Sequence, residues 1–377
     1  KNPPDQEKIF YFVIMLLISF IATSNFKPVR SLLVGVVSHI ITFSASIYIW
    51  NDGYFLTSLL SFPCFIFMYV ASSAHAFLTE GKQKRMIKGA FAQYLAPDMV
   101  DALIADPEKL QLGGEKRIMT IMFCDVRGFT AISEALKSTP EVLTEVINTL
   151  LTDLSNDILE CGGTIDKYMG DCIMAFWNAP VENSKHAELA VEAAKKMMKT
   201  IYRVNDKVQE ERPNIPPLRI GIGIGTGECV VGNMGSKQRF DYTVLGDVVN
   251  LSSRLEGQTK GYGVSTIICK NTAGKVSNLE TEVLEIDKIR VKGKTEPETI
   301  YAILEDPDTK INIASVSEYL KAFRLGHLKD ASKVLQKIPE EGSSLSNYKK
   351  LMLERLLELE TNGLPSDWDG VYTAETK

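Results

Sequence analysis

Two apolar segments that carry aspartates decide the fold of this chain: Ile118-Met-Thr-Ile-Met-Phe-Cys-Asp-Val-Arg-Gly-Phe-Thr130 and Thr164-Ile-Asp-Lys-Tyr-Met-Gly-Asp-Cys-Ile-Met-Ala-Phe176. We predict that Asp125 and Asp171 each lie within a hydrophobic strand. A carboxylate in such surroundings is costly unless a positive charge compensates it. Two of them favour a site for hard divalent cations, which prefer oxygen ligands.

Strands alternate with helices around these segments. The predicted elements are a strand Ile118–Cys124, a helix Pro140–Cys161, a hairpin of Thr164–Lys167 and Ile173–Phe176, a helix Ser184–Gln209 and a strand Leu218–Gly225. That order, strand–helix–strand–strand–helix–strand, is the ferredoxin-like arrangement, so we expect an α+β fold. Its central strands are neighbours, so Asp125 and Asp171 should converge as a two-metal centre requires.

The first eighty residues have a different composition from the rest of the chain. Three runs lack charged residues, namely Ile9–Phe26, Ser31–Asn51 and Gly53–Thr79. Each is long enough to cross about 30 Å of hydrocarbon as a helix. Lys27 and Arg30 separate the first two runs, and further basic residues follow the third. The positive-inside rule then places everything after residue 80 in the cytoplasm, below a plasma (inner) membrane that the chain crosses three times.

These patterns divide the 377 residues into four parts. We expect a transmembrane region at 1–79, an amphipathic helical coupling linker at 80–111, a catalytic domain at 112–304 and a helical module at 305–377. The chain starts at Lys1 and enters a span almost at once, so we expect an upstream extracytoplasmic sensor and contact with membrane lipid. A net charge of −5 gives no reason to expect nucleic-acid binding.

Two glycine-containing motifs fail as phosphate-binding signatures. In Gly221-Ile-Gly-Ile-Gly-Thr-Gly227 the glycines fall at every second position, so no frame matches a dinucleotide fingerprint. Gly293-Lys-Thr295 resembles the end of a phosphate-binding loop, but Lys288 stands where that loop needs glycine. The remaining candidates are Lys167, Arg219 and polar residues between positions 240 and 294.

Three of the segments that hold these residues resemble the class III nucleotide cyclases. They are Phe123-Cys-Asp-Val-Arg-Gly-Phe-Thr130, Lys167-Tyr-Met-Gly-Asp171 and Leu245-Gly-Asp-Val-Val-Asn-Leu-Ser-Ser-Arg254. The resemblance spans roughly residues 112–304. It implies an adenylyl cyclase of the bacterial receptor type, which converts ATP to cyclic AMP and pyrophosphate.

The resemblance also implies roles for residues at matching positions. Asp125 and Asp171 would hold two Mg²⁺ or Mn²⁺ ions, while Lys167 and Thr243 would read the base. Mammalian-type adenylyl enzymes place an aspartate at the position of Thr243. A threonine hydroxyl can still accept from the adenine amino group, and a Lys–Thr pair is typical of a bacterial branch of adenylyl cyclases.

Four more residues complete the implied site. Asn250 would orient the ribose, and Arg254 would offset charge on the α-phosphate in the transition state. Arg219 and Lys292 would hold the terminal phosphates. In this family the two aspartates and Arg219 come from one subunit and the other groups from a second, so the resemblance implies a homodimer with shared active sites.

Other functions remain as alternatives. A guanylyl cyclase would have a Glu–Cys pair at the base-reading positions, which this chain lacks. A diguanylate-type enzyme would have Gly-Gly-Asp/Glu-Glu-Phe where this chain has Gly170-Asp-Cys-Ile-Met174, so that alternative is disfavoured. A signalling receptor with a degenerate cyclase domain would lack some of the eight residues, all of which are present. A transporter is disfavoured because the three uncharged runs have no charged residue in their middles.

Overall fold

The computed structural model of the chain describes residues 13–14, 17, 21, 28–51, 63–74, 77–78, 100, 113–236, 240–276, 283–290, 296–304, 309–339, 345–366 and 368–373. The chain divides into two compact units, Lys1–Ala90 and Phe91–Lys377. Both aspartate segments belong to the second unit.

The first unit contains helix α1, Pro28–Asn51, and a helical stretch at residues 63–74. The uncharged run Ser31–Asn51 lies inside α1. Among the described residues, no helix is both long enough and apolar enough to cross a membrane, so the three expected spans are not seen. The described residues leave out most of Ile9–Phe26 and the start of Gly53–Thr79. They also leave out the expected linker at 80–111, apart from residue 100.

The first described elements of the second unit include the strands and helices that the sequence predicts around the two aspartate segments. They are β1 (Gly113–Arg127), α2 (Phe129–Ala135), α3 (Pro140–Glu160), β2 (Thr164–Met169), β3 (Cys172–Trp177), α4 (His186–Glu211) and β4 (Arg219–Gly235). The predicted order is therefore found, with two differences in extent. Strand β1 is longer at both ends than predicted, and β4 is one continuous strand of 17 residues.

The rest of the unit adds strands at one side of the sheet and helices at the C-terminal end. These elements are β5 (Phe240–Leu245), α5 (Asp247–Tyr262), β6 (Thr266–Cys269), α6 (Lys270–Ala273), β7 (Val283–Arg290), β8 (Glu298–Ile303), α7 (Thr309–Arg324), α8 (Leu328–Leu335), α9 (Ser346–Asn362) and β9 (Tyr372–Thr373). The described strands form one nine-stranded sheet, in the order β2-β3-β1-β4-β6-β8-β7-β9, with β5 paired to β4.

The first four strands of that sheet have the ferredoxin-like order. Strand β1 lies between β3 and β4 and is antiparallel to both, and β2 pairs with β3 outside it. A strand in this central position is covered on both faces, which explains why residues 121–124 form a continuous apolar run instead of an alternating one.

The two faces of β1 pack into two separate cores. Met122, Cys124 and Val126 contribute to the core beneath α3 and α4. Ile121 and Phe123 belong to the core on the other face, together with residues of β4, β5 and α5. Successive side chains of a strand alternate between faces, so Asp125 continues the second row, on the side of α5.

The alternating glycines of β4 allow helix α5 to approach the sheet closely. A Cβ atom at Gly223 would lie 2.2 Å from both the Glu256 nitrogen and the Ser252 oxygen, which are backbone atoms of α5. The isoleucines between these glycines, Ile222 and Ile224, face the opposite core. The glycine run is therefore a contact surface for α5, the helix that contains Asn250 and Arg254.

The three C-terminal helices share a core with the sheet. Helix α7 packs on β7, and α9 packs on α5. The side chains of Arg355 on α9 and Asp287 on β7 are almost completely buried, and the Arg355 Nη1 donates to the Asp287 Oδ2 at 2.5 Å. The hydroxyl of Tyr262, at the end of α5, donates to the same oxygen. These contacts join α5 to the C-terminal helices.

Candidate active site

The structure brings Asp125 and Asp171 together at one edge of the sheet. Strand β1 pairs with β3 up to Cys124, which lies opposite Ile173, so Asp125 lies next to the turn between β2 and β3. Asp171 is in that turn, and the prediction that it lies inside a strand was wrong. Gly170 supplies the left-handed conformation that the turn needs, with φ of 69°. Burial raises the pKa of Asp125, and the negative charge of Asp171 raises it further.

A third carboxylate, which the sequence analysis missed, faces the same pair. Burial raises the pKa of Glu256 to about 7, and the charges of Asp125 and Asp171 add to that effect while Arg127 opposes it. Its Oε1 lies 2.9 Å from the point where a Cβ atom at Gly221 would stand. Gly221 is the residue that pairs with Asp125 across β1 and β4, so Glu256 fills the space above this glycine.

Arg219 lies on the same face of the sheet as Asp125. It begins β4 two residues before Gly221, the cross-strand partner of Asp125. Diagonal neighbours of this kind in an antiparallel pair are about 7–8 Å apart, within the reach of a long side chain. The side chain of Arg219 is exposed, so its guanidinium is available to a ligand above that edge.

Lys167 and Thr243 are connected by a carboxylate that lies between them. The Thr243 Oγ1 donates to the Asp166 Oδ2 at 2.5 Å, and the Lys167 Nζ lies 3.2 Å from the Asp166 Oδ1. Lys167 is on β2 and Thr243 on β5, so this contact brings together two residues 76 positions apart in the chain. The structure thus places the two expected base-reading residues beside each other.

Asn250 and Arg254 share one face of α5, as their spacing of four residues predicts. Asn250 is exposed and Arg254 is half-buried. The expected phosphate-binding residue Lys292 lies outside the described residues.

The family model for the adenylate and guanylate cyclase catalytic domain matches residues 114–305. This segment is about half of the chain and contains β1, apart from its first residue, and every later element up to β8. The chain belongs to this family.

Relatives of this cyclase domain include enzymes for both purine nucleotides. An adenylate cyclase from Anabaena cylindrica is 36% identical over 58% of this chain and 42% of its own length. The solved structure of the adenylyl cyclase CyaB from P. aeruginosa is 35% identical, covering 52% of this chain and 97% of its own, with a TM-score of 0.46. That of the guanylyl cyclase Cya2 is 36% identical with the same coverage and TM-score. The chain spans less than half the length of the Anabaena relative.

The carboxylates of this cyclase domain fit a divalent cation that also binds substrate. Among the described residues there is no group of three or more His, Cys, Asp or Glu side chains that could hold a metal ion alone. Mg²⁺ usually binds through one or two carboxylates together with substrate phosphates. Asp125 and Asp171 match that donor set, since a cation between them would offset the repulsion that raises the pKa of Asp125.

Proposed function

We propose that this protein is an adenylyl cyclase that converts ATP to 3′,5′-cyclic AMP and pyrophosphate. The observation that carries the proposal is the meeting of Asp125 and Asp171 at the edge of a sheet whose family is that of the nucleotide cyclases. Adenine is favoured by the contact between Lys167, Asp166 and Thr243, because a hydroxyl at Thr243 suits the adenine amino group.

The reaction needs positioning and charge compensation more than covalent help from the protein. The 3′-oxygen forms a bond to the α-phosphorus, the bond from that phosphorus to the bridging oxygen breaks, and pyrophosphate leaves with the electron pair. The hydroxyl proton is released to water. In this proposal Asn250 orients the ribose and Arg254 offsets the charge that develops on the α-phosphate. Arg219 and Lys292 hold the terminal phosphates.

Asp125 and Asp171 would hold the divalent cations, two Mg²⁺ or Mn²⁺ ions in our proposal. When bound, such ions supply Lewis acidity toward the 3′-hydroxyl and the phosphate oxygens. Glu256 lies beside this pair, where burial and then the charge of Asp125 disfavour its ionised form.

We further propose that the active site is completed by a second copy of the chain. The support for this proposal is the family resemblance, in which the metal-binding aspartates and the arginine at the α-phosphate come from different subunits. In a symmetric dimer each aspartate pair would meet Asn250 and Arg254 of the partner, giving two equivalent sites.

A membrane location is also a proposal, with the cyclase domain in the cytoplasm. It is supported by the three uncharged runs and by side chains of α1 such as Leu33, Ile41 and Tyr48, which are more than half exposed. An extracytoplasmic sensor upstream of the chain would then act through the linker at 80–111. Fractionation of cells that make the protein, with and without residues 1–79, tests the location: loss of membrane association in the shortened chain supports it, and association of neither form contradicts it.

Product analysis tests the activity. The purified chain is incubated with ATP or GTP, each with Mg²⁺ and with Mn²⁺, and the cyclic nucleotides are quantified. The proposal requires more cyclic AMP than cyclic GMP at equal substrate concentration. An excess of cyclic GMP would show a guanylyl cyclase, and absence of both products would favour a degenerate receptor domain.

A further inference from the structure

Asp166 is a buried charge beside the two residues that we assign to base reading. Its side chain has an exposed fraction of 0%. Burial raises the pKa of Asp166, whereas the hydrogen bond from Thr243 and the charge of Lys167 lower it. A buried carboxylate is costly unless it is paired and hydrogen-bonded. Here the Oδ2 accepts the hydrogen bond from Thr243, and among the described residues the Oδ1 has the ion pair with Lys167 but no hydrogen bond.

The local backbone turns Asp166 toward these partners. In the pairing of β2 with β3, Ile165 lies opposite Ala175 and Lys167 opposite Met174, so Asp166 is the extra residue of a β-bulge. Bulges change the direction of a side chain and are frequent beside active sites. The bulge lets Asp166 contact Thr243 on β5 while Lys167 remains exposed.

The direction of the hydrogen bond determines what Thr243 can offer a ligand. A threonine hydroxyl has a single hydrogen, which Thr243 donates to an acceptor-only carboxylate. The Oγ1 atom is then left with lone pairs alone. It can accept from an amino group but has no hydrogen for a carbonyl oxygen. At C6, adenine has an amino group and guanine has a carbonyl oxygen.

We propose that Asp166 is a specificity-determining positioning residue that fixes the Thr243 hydroxyl as an acceptor and so selects a 6-amino purine over a 6-oxo purine. The inference rests on the proposed function, because it requires Lys167 and Thr243 to face the base. It adds that selectivity depends on a carboxylate that need not touch the nucleotide.

The test replaces Asp166 by asparagine, whose amide can donate to the Thr243 Oγ1 and free the hydroxyl hydrogen for a ligand. Three substrates that differ in the group at C6 are compared. ATP has an amino group there, purine riboside triphosphate has a hydrogen atom, and inosine triphosphate has a carbonyl oxygen. The kcat/KM of each is measured, together with displacement of a fluorescent nucleotide. In Asp166→Asn, the preference for inosine triphosphate over purine riboside triphosphate should rise about tenfold, the scale of one net hydrogen bond.

Matched variants separate the roles of the two residues. Thr243→Ser keeps the hydroxyl and should keep the selectivity of the wild-type protein. Thr243→Val removes the hydroxyl and should lose the preference for ATP without gaining a preference for inosine triphosphate. If Asp166→Asn does not fold, Asp166→Ser removes the acceptor-only group with a smaller side chain, and its substrate ratios are read in the same way.

The inference and the proposed function fail in different ways. A wild-type protein that prefers inosine triphosphate or GTP overturns the adenylyl assignment and the inference with it. If the wild-type protein prefers ATP and Thr243→Val changes that preference, but a folded Asp166→Asn keeps the wild-type ratios in both assays, only the role of Asp166 is overturned.

Discussion

Replacing Gly223 by alanine tests whether the glycine run sets the position of helix α5. The added methyl group would stand 2.2 Å from backbone atoms of Ser252 and Glu256, and ordinary contact begins at 3.4 Å. Backbone atoms cannot rotate away as side chains do, so α5 must move outward by about 1.2 Å. Overpacking of this kind costs about 1–3 kcal/mol of folding free energy. Because α5 contains Asn250 and Arg254, a shift of about 1 Å should also lower activity about 100-fold.

Two measurements on the same variant separate these effects. Urea unfolding reports the loss of stability, and initial rates with Mn²⁺ and ATP report the loss of activity. Gly261→Ala is the matched control, since Gly261 is on the same helix and a Cβ atom there meets nothing within 4 Å. Alanine is the better helix former, so the control should be neutral or more stable. A Gly223→Ala protein as stable and active as the wild type would refute the close-approach argument.

Three further predictions concern charged and titratable groups. Arg355→Ala removes the charged partner of the buried Asp287 and should lower stability by about 3–5 kcal/mol in urea unfolding. Lys333→Ala, which breaks an exposed ion pair, should cost less than about 1 kcal/mol. Burial, and then the charge of Lys275, lower the pKa of His186 below its ordinary 6.5. As pH drops below 6.5, the unfolded chain therefore binds a proton before the folded chain does, and stability should fall. The urea midpoint of His186→Asn should lack this dependence on pH. Asp125→Asn removes a carboxylate whose pKa is raised in the folded protein. Its ionisation is therefore less favourable in the folded than in the unfolded chain, and stability falls as pH rises. At pH 7.5 this variant should melt above the wild type without metal, and Mn²⁺ should raise the Tm of the wild type only; equal Tm shifts in both proteins would count against the metal site.

Much of the catalytic fold could be predicted because its signals are local. Apolar runs and helical periodicity are properties of neighbouring residues, and they determine the order of elements from β1 to β4. The alternation of side chains along a strand likewise puts Asp125 on one face of β1. The prediction for Asp171 was wrong because an apolar pattern continues on both sides of a tight turn. The pattern alone does not show where the strand ends.

The residues missed by the sequence analysis depend on contacts between distant segments. Glu256 reaches the aspartates only because α5 lies against Gly221 and Gly223, and nothing near Glu256 in the sequence indicates that approach. Asp166 is turned toward Thr243 by a β-bulge, which a period-two pattern does not reveal. The glycine run itself was a usable signal, since glycine at every second position of a strand indicates one face open to close backbone approach.

Complementation between two inactive variants tests most directly the claim that two chains share each active site. Asp125→Ala removes a metal ligand and Arg254→Ala removes the transition-state arginine, so each variant alone should be inactive. When the two are co-expressed, half of the dimers formed at random are mixed, and each mixed dimer has one site with both residues intact. Cyclic AMP formation should then recover to about one quarter of the wild-type rate. Recovery of no activity, with mixed dimers demonstrated by differently tagged chains, would contradict the shared site.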